Sequence, residues 1–205
     1  LELLAKHGVT ATFFLLGRRA ARHPDLVDAI LEAGHAVGNH SYSHDPALML
    51  RGSRRLESDI AATQALLAGH GVRPLCFRPP VGISNPLLKS VLDRQGLFAV
   101  NFSCRGYDLG NRRLDGLAAR MLRRVRPGDI LLLHDTAPPE AADLGIWLGE
   151  VEALLDGLRT RGLAVAALKD LLGREVMVHL DSAESAEEAA SSASMQCQQR
   201  GSEAR

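Results

Sequence analysis

Short apolar runs recur along the chain at residues 11–16, 35–39, 75–77, 98–103, 130–133 and 163–168, and between most of them apolar residues return with a helical period. Residues 54–68 set Leu56, Ile60, Leu66 and Leu67 on one broad face, with Ser53 as the expected N-cap and Gly69 as the stop. Asn85 followed by Pro86 marks a second helix start, because the first helical position has no intrahelical bond for proline to break. Strands alternating with helices in this way predict parallel strands joined by helical crossovers, hence an α/β sheet or barrel. Residues 1–6 read as the end of a helix running into His7-Gly8, and in a βα repeat such a leading fragment implies an earlier strand that is not in this sequence. From about Ser182 onward large apolar residues almost vanish. The expected organisation is one domain over residues 1–173 and a low-complexity, disordered tail over 174–205.

Composition narrows the classes of partner. The 205 residues are 46% hydrophobic, enough for one sizeable core and too few for two full domains. Lys+Arg and Asp+Glu both total 24, so no net basic character announces nucleic acid or anionic lipid, and a neutral substrate fits better. Cys76, Cys104 and Cys197 show no CxxC spacing, which argues against a disulfide scaffold or a cysteine zinc site. No apolar run reaches the roughly 18 residues that suggest a membrane span. Oligomeric state is not legible.

The densest chemical signal is His40-Ser41-Tyr42-Ser43-His44, directly after the run at 35–39. Imidazoles four residues apart can face one point, which suits a borderline metal such as zinc. Taken alone, the pair reads equally well as two histidines of a solvated loop. Other motifs shift the balance: Arg78-Pro79-Pro80-Val81-Gly82 comes after the run at 75–77, His134-Asp135 after the run at 130–133, and Asp108 just beyond the run at 98–103. With parallel strands, all four groups are expected at one carboxyl-terminal sheet edge, where barrel enzymes place their catalytic residues.

In order and spacing, Thr10-Ala11-Thr12-Phe13-Phe14, Gly38-Asn39-His40-Ser41-Tyr42-Ser43-His44, Arg78-Pro79-Pro80 and Leu132-Leu133-His134 resemble the polysaccharide deacetylase (NodB-homology, carbohydrate esterase four) family over residues 1 to 172. The resemblance implies a distorted (β/α) barrel of about seven parallel strands, the first missing from this chain. It implies a metal-dependent hydrolase that removes acetyl groups from N-acetylated, or alternatively O-acetylated, sugars. His40 and His44 become ligands of a divalent metal, zinc first and cobalt or another ion as alternatives, completed by an aspartate. That aspartate and the neighbouring base belong to a Thr-Phe-Asp-Asp-Gly-Pro motif, which this sequence does not contain. By the same resemblance His134 is the general acid, Asp108 orients it, and Arg78 orients the base aspartate. Pro80, Val81 and Leu132 bind substrate, Val81 through its backbone N–H to the oxyanion and Leu132 beside the acetyl methyl group. Family members commonly act on cell-wall or exported glycans, so the resemblance implies an envelope location as the expectation.

Two departures matter. Val81 stands where the family often has an aromatic residue, and Phe102 and Leu109 replace its tryptophans, leaving Trp147, Tyr42 and Tyr107 as the amphipathic aromatics. Few strong sugar subsites are then expected, so a short or lipid-linked saccharide is as reasonable as a polymer. The rival readings are a non-catalytic carbohydrate- or metal-binding relative of the same fold, and a deformylase-type amide hydrolase. His7 reads as a helix-end residue, His35 as structural, Arg120–Arg126 as a solvated helix face, and Cys76 and Cys104 as buried thiols.

Overall fold

The computed structural model describes residues 1–137, 140, 143–181 and 183–184. In chain order the elements are α1 (Glu2–Lys6), β1 (Thr12–Leu15), α2 (Gly17–Ala20), α3 (Pro24–Glu32), β2 (Ala36–Asn39), α4 (Ser53–Ala68), β3 (Val72–Pro74), β4 (Cys76–Phe77), α5 (Pro86–Arg94), β5 (Phe98–Ala99), β6 (Cys104–Arg105), α6 (Leu117–Leu122), β7 (Leu131–Leu132), α7 (Asp143–Thr160), α8 (Leu168–Leu172) and β8 (Met177–His179). The described residues fall into two compact units, one of residues 11–100 with 172–181 and 183–184, the other of residues 1–10 with those described within 101–171.

In the first unit, β1, β2, β4 and β5 form a four-stranded parallel sheet in that order. Phe13 lies opposite Val37 and Asn39 opposite both Leu15 and Phe77. Helix α4 buries Leu56, Ile60 and Leu67, the face its periodicity predicts. One core cluster joins Leu56 and Ile60 to Phe77, Leu88, Val91 and Leu92, and a second joins Val27, Ile30, Val37, Leu67 and Val72. Asn85 caps α5 as expected, its side chain accepting the Leu88 N–H at 2.8 Å. At α4 the cap is Gly52 and Ser53 is already helical, because the glycine takes up a left-handed φ of 80° at the entry.

Two features depart from the expected pattern. β3 pairs antiparallel with β8, Arg73 opposite Val178, so the order inside 174–181 corrects the tail boundary at 173. The rest of that tail, with Cys197, lies outside the described residues apart from 183–184. Residues 163–168 form no strand, and Leu168 instead opens α8; an apolar run becomes a strand only where a ladder partner satisfies its backbone.

The second unit holds the parallel pair β6 and β7, with Cys104 opposite Leu131 and Arg105 opposite Leu132. Its core gathers Cys104, Leu117, Met121, Leu154 and Leu158. Glu150 on α7 accepts the Gly116 and Ala118 N–H groups, both at 2.7 Å, satisfying orphan donors at the start of α6. The expected single sheet edge is therefore divided: His40 and Arg78 come after β2 and β4 of one sheet, Asp108 and His134 after β6 and β7 of another.

Candidate active site

Parallel pairing positions the first cluster. The ladder continues beyond the strands, the His40 N–H donating to the Leu15 carbonyl at 3.0 Å and the Arg78 N–H to the Asn39 carbonyl at 2.9 Å. His40 and Arg78 thus leave adjacent strands at the carboxyl-terminal edge, the usual place for ligand-binding groups in α/β sheets. His40 Nδ1 lies 2.7 Å from the Arg78 carbonyl. A carbonyl only accepts, so Nδ1 carries the hydrogen and the lone pair is on Nε2, the arrangement typical of a metal-ligating histidine. The His40 and His44 rings stand edge to face, with centroids 5.0 Å apart.

The loop that brings the two rings together is strained and heavily braced. Ser41 and His44 both take positive φ, 69° and 54°, which non-glycine residues adopt at a cost. Asp59, buried on α4, accepts the Tyr42 N–H at 2.7 Å and the Ser43 N–H at 3.3 Å through one oxygen. Asn39, wholly buried, accepts the Ser41 N–H at 2.9 Å and donates to the Ile60 carbonyl and to Gln64. The Ser41 hydroxyl accepts the His44 N–H at 3.0 Å. On the other side the Gly17 N–H donates to the Ser41 carbonyl, and a side chain at position 17 would strike the Tyr42 ring and the Thr63 hydroxyl. Asp59→Ala should therefore lower stability by roughly 2–4 kcal/mol, since two loop N–H groups lose their acceptor, and should weaken metal binding. Asp59→Asn, which keeps the accepting oxygen, should recover most of both. Urea unfolding and zinc titration measure this, and an alanine variant as stable as the parent would show that the loop does not depend on Asp59.

The donor set suits a divalent ion in type: two part-buried imidazoles on a braced loop, one backed by a carbonyl. Among the described residues no third His, Cys, Asp or Glu joins them to complete a site.

Arg78 is buried, with its Nε donating to the Val100 carbonyl at 3.3 Å and its guanidinium carbon 3.9 Å over the Phe14 ring. Burial lowers its pKa to about 10 against a small opposing influence of Cys76, so it remains a cation at neutral pH. Pro80 is buried and Val81 exposed in the 3-10 turn Pro80–Gly82. Val81 sits at φ 52°, ψ 12°, a conformation that is a true outlier for a β-branched residue and costs about 1–3 kcal/mol. The Gly82 N–H to Pro79 carbonyl bond, 3.0 Å, closes the turn.

The second cluster is built on β6 and β7. His134 Nδ1 lies 2.9 Å from both Asp108 oxygens. The carboxylate is nearly buried while the imidazole is 43% exposed, so the pair offers its histidine, not its aspartate, to a reactant. Burial disfavours the charge on Asp108, but the hydrogen bond and charge of His134 and the N–H groups of Asp108 and Gly110 prevail and hold its pKa below the ordinary value. Tyr107, Leu109 and Asn111 all have positive φ. The Asp108 carbonyl closes this tight loop by accepting the Arg112 and Arg113 N–H groups at 2.9 Å. Asn111, fully buried, donates to the carbonyls of His134 and Thr136 at 2.8 and 2.6 Å. Leu132 lies half-buried in β7. Because the folded pKa of Asp108 is depressed, its stabilising contribution is present above the unfolded value of about 3.9 and is lost as pH falls through the folded one. The stability gap between the parent and Asp108→Asn should accordingly close below about pH 4, measured by denaturant midpoints across pH. A gap independent of pH would show that the aspartate charge contributes nothing.

Comparison with known proteins decides the family. The polysaccharide deacetylase family model matches residues 1–100. A chitooligosaccharide deacetylase from Azorhizobium caulinodans is 33% identical over 180 residues, 82% of this chain and 83% of that protein. The chain belongs to the polysaccharide deacetylase family. A family 4 carbohydrate esterase from Streptomyces lividans, solved with acetate, superposes with TM-score 0.73 at 32% identity, covering 88% of each chain. This likeness carries the α/β, distorted-barrel fold class. A carbohydrate esterase family 4 pseudoenzyme from Bacillus anthracis gives TM-score 0.74 at 26% identity, over 83% of this chain and 58% of that one. Proteins of this fold thus include one described as a pseudoenzyme, and the fold by itself leaves turnover to the site residues.

Asp59, Asn39, Gly17 and Asn111 brace the two clusters, and the sequence pattern did not bring them forward. Asn39 directly precedes His40, a signal that was available, whereas nothing in the polar face of α4 singles out Asp59.

Proposed function

We propose that this polysaccharide deacetylase removes acetyl groups from N-acetylated sugars, using a divalent metal held by His40 and His44. The observation that carries the reading is the His40 Nδ1–H bond to the Arg78 carbonyl at 2.7 Å, which makes the other ring nitrogen the one able to ligate, beside a second imidazole. A divalent ion there, zinc or cobalt, would supply Lewis-acid polarisation of the amide carbonyl and a water of lowered pKa. The chain's own residues supply the rest. Val81 offers its backbone N–H to the oxyanion from a conformation already set, and Pro80 shapes that turn. Arg78 contributes fixed positive charge for orienting a carboxylate base. His134 hands a proton to the departing sugar amine, held for that transfer by Asp108. Leu132 presents an apolar surface to the acetyl methyl group. Substrates of this class lie in the cell wall or in exported glycans, so the envelope is the inferred place of work; no helix among the described residues is long and apolar enough to cross a membrane.

A second reading is a binding protein without turnover. It is favoured by the lack of a third metal donor among the described residues. Acetate release from N-acetylglucosamine oligomers, measured with zinc, with cobalt and with chelator, separates the two. Metal-dependent release supports the deacetylase, and oligomer binding without release supports the binding protein.

A further inference from the structure

The loop after β6 is built against ordinary backbone preference. Tyr107, Leu109, Gly110 and Asn111 all take positive φ, at 53°, 53°, 68° and 65°, and of these only the glycine does so at no steric cost. Asn111 tolerates that region better than most residues, yet it is wholly buried and its Oδ1 has no hydrogen-bond partner among the described residues. A buried acceptor left unmade is a further cost. Backbone and acceptor together would favour a glycine here.

What the asparagine adds is its amide nitrogen, which donates to the His134 carbonyl at 2.8 Å and to the Thr136 carbonyl at 2.6 Å. Turning the amide over would set Oδ1 against two carbonyl oxygens, so its neighbours fix which end faces them. Two bonds thus run from the loop after β6 to the loop after β7. A third link joins the same loops, since His134 Nδ1 lies 2.9 Å from both oxygens of Asp108.

His134 is therefore held twice by one short loop, at its ring by Asp108 and at its main chain by Asn111. The ring bond alone would let the imidazole follow any shift of its own backbone, and a side chain that is 43% exposed has little packing to prevent this. A strained, incompletely satisfied residue persists where its surroundings need the geometry it holds.

We propose that Asn111 is a positioning residue: by tying the main chain of the loop after β7 to the loop that carries Asp108, it fixes the direction in which His134 offers its outer nitrogen. The acid role of His134 rests on the deacetylase reading, but the tie can be measured apart from it. Asn111→Gly keeps the left-handed backbone and removes the amide, and Asn111→Asp keeps the shape while replacing the donor by an acceptor. Two-bond proton–nitrogen NMR of the histidine rings, with the His134 signals identified by their absence in His134→Ala, reads which ring nitrogen carries the hydrogen. In alkaline buffer it should be Nδ1 in the unaltered protein, because a carboxylate only accepts, and in both variants the ring should drift to a mixture of the two forms. Activity is read as the ratio of acetate release from an N-acetylglucosamine oligomer to that from 4-nitrophenyl acetate, whose leaving group departs without a proton. An acid held loosely should lower this ratio by about tenfold or more, with KM for the oligomer and bound zinc unchanged, whereas general damage to the fold would lower both rates together. A ratio that holds in Asn111→Gly, or a ring form that does not change there, would overturn the proposal. If the unaltered protein releases no acetate from the oligomer, the deacetylase reading fails and the ring form alone decides the role of Asn111.

Discussion

Replacing both His40 and His44 with alanine should abolish binding of the divalent metal while leaving the four-stranded sheet folded. The two imidazoles are the nitrogen donors that the loop after β2 presents together, and two ligands lost from one site leave too few to retain an ion against water. The fold should tolerate the change because both side chains are only part-buried, and the bonds that shape the loop run through the backbone N–H groups of residues 41–44 to Asn39, Asp59 and Ser41. Equilibrium dialysis with zinc should fall from about one ion per chain to none, and metal-dependent acetate release should fall to background. Equal metal stoichiometry in the parent and the double variant would end the assignment.

His134→Ala should behave in the opposite way, retaining metal and losing turnover by about 10²–10⁴-fold, the usual worth of one positioned proton donor. The distinction arises from the strand that carries each residue. His134 comes after β7 and spends its Nδ1 on Asp108, with Asn111 fixing the backbone behind it. An imidazole anchored in this way presents a single nitrogen in a set direction, as a general acid requires. Metal content by atomic absorption and acetate release by coupled assay decide the matter, and loss of metal in this variant would make His134 a ligand instead.

Legibility differed from element to element. Helix α4 and strands β2 and β4 were readable because each buries a face or a run that the pattern exposes directly, Leu56, Ile60 and Leu67 in one case, Val37 and Phe77 in the others, and α5 because Asn85-Pro86 marks its start. The β3–β8 pair was not, since its three-residue strands are too short to show a period and about a hundred positions separate them. The run at 163–168 misled for the converse reason, since hydrophobicity marks burial but a strand also needs a ladder.

By itself the sequence determined the α/β class, the family, and the residue types that could do chemistry: His40, His44, Arg78, Asp108 and His134, each shortly after an apolar run. It could do so because chain direction already sets the residues just past a parallel strand at the carboxyl-terminal edge of its sheet. Only the tertiary structure decided which groups hold those residues in place. Asp59 reads as one more polar residue on an amphipathic helix until α4 packs and sets its carboxylate against the Tyr42 and Ser43 N–H groups. Val81 reads as an ordinary valine until the Arg-Pro-Pro turn forces it to φ 52°. Arg105 and Arg124 are lost in a neutral total charge until β6 and the turn after α6 bring them to one ring, that of Tyr107. Backbone donors, left-handed conformations and the pairing of distant charges are properties of three-dimensional neighbours, and no local pattern of residue types encodes them.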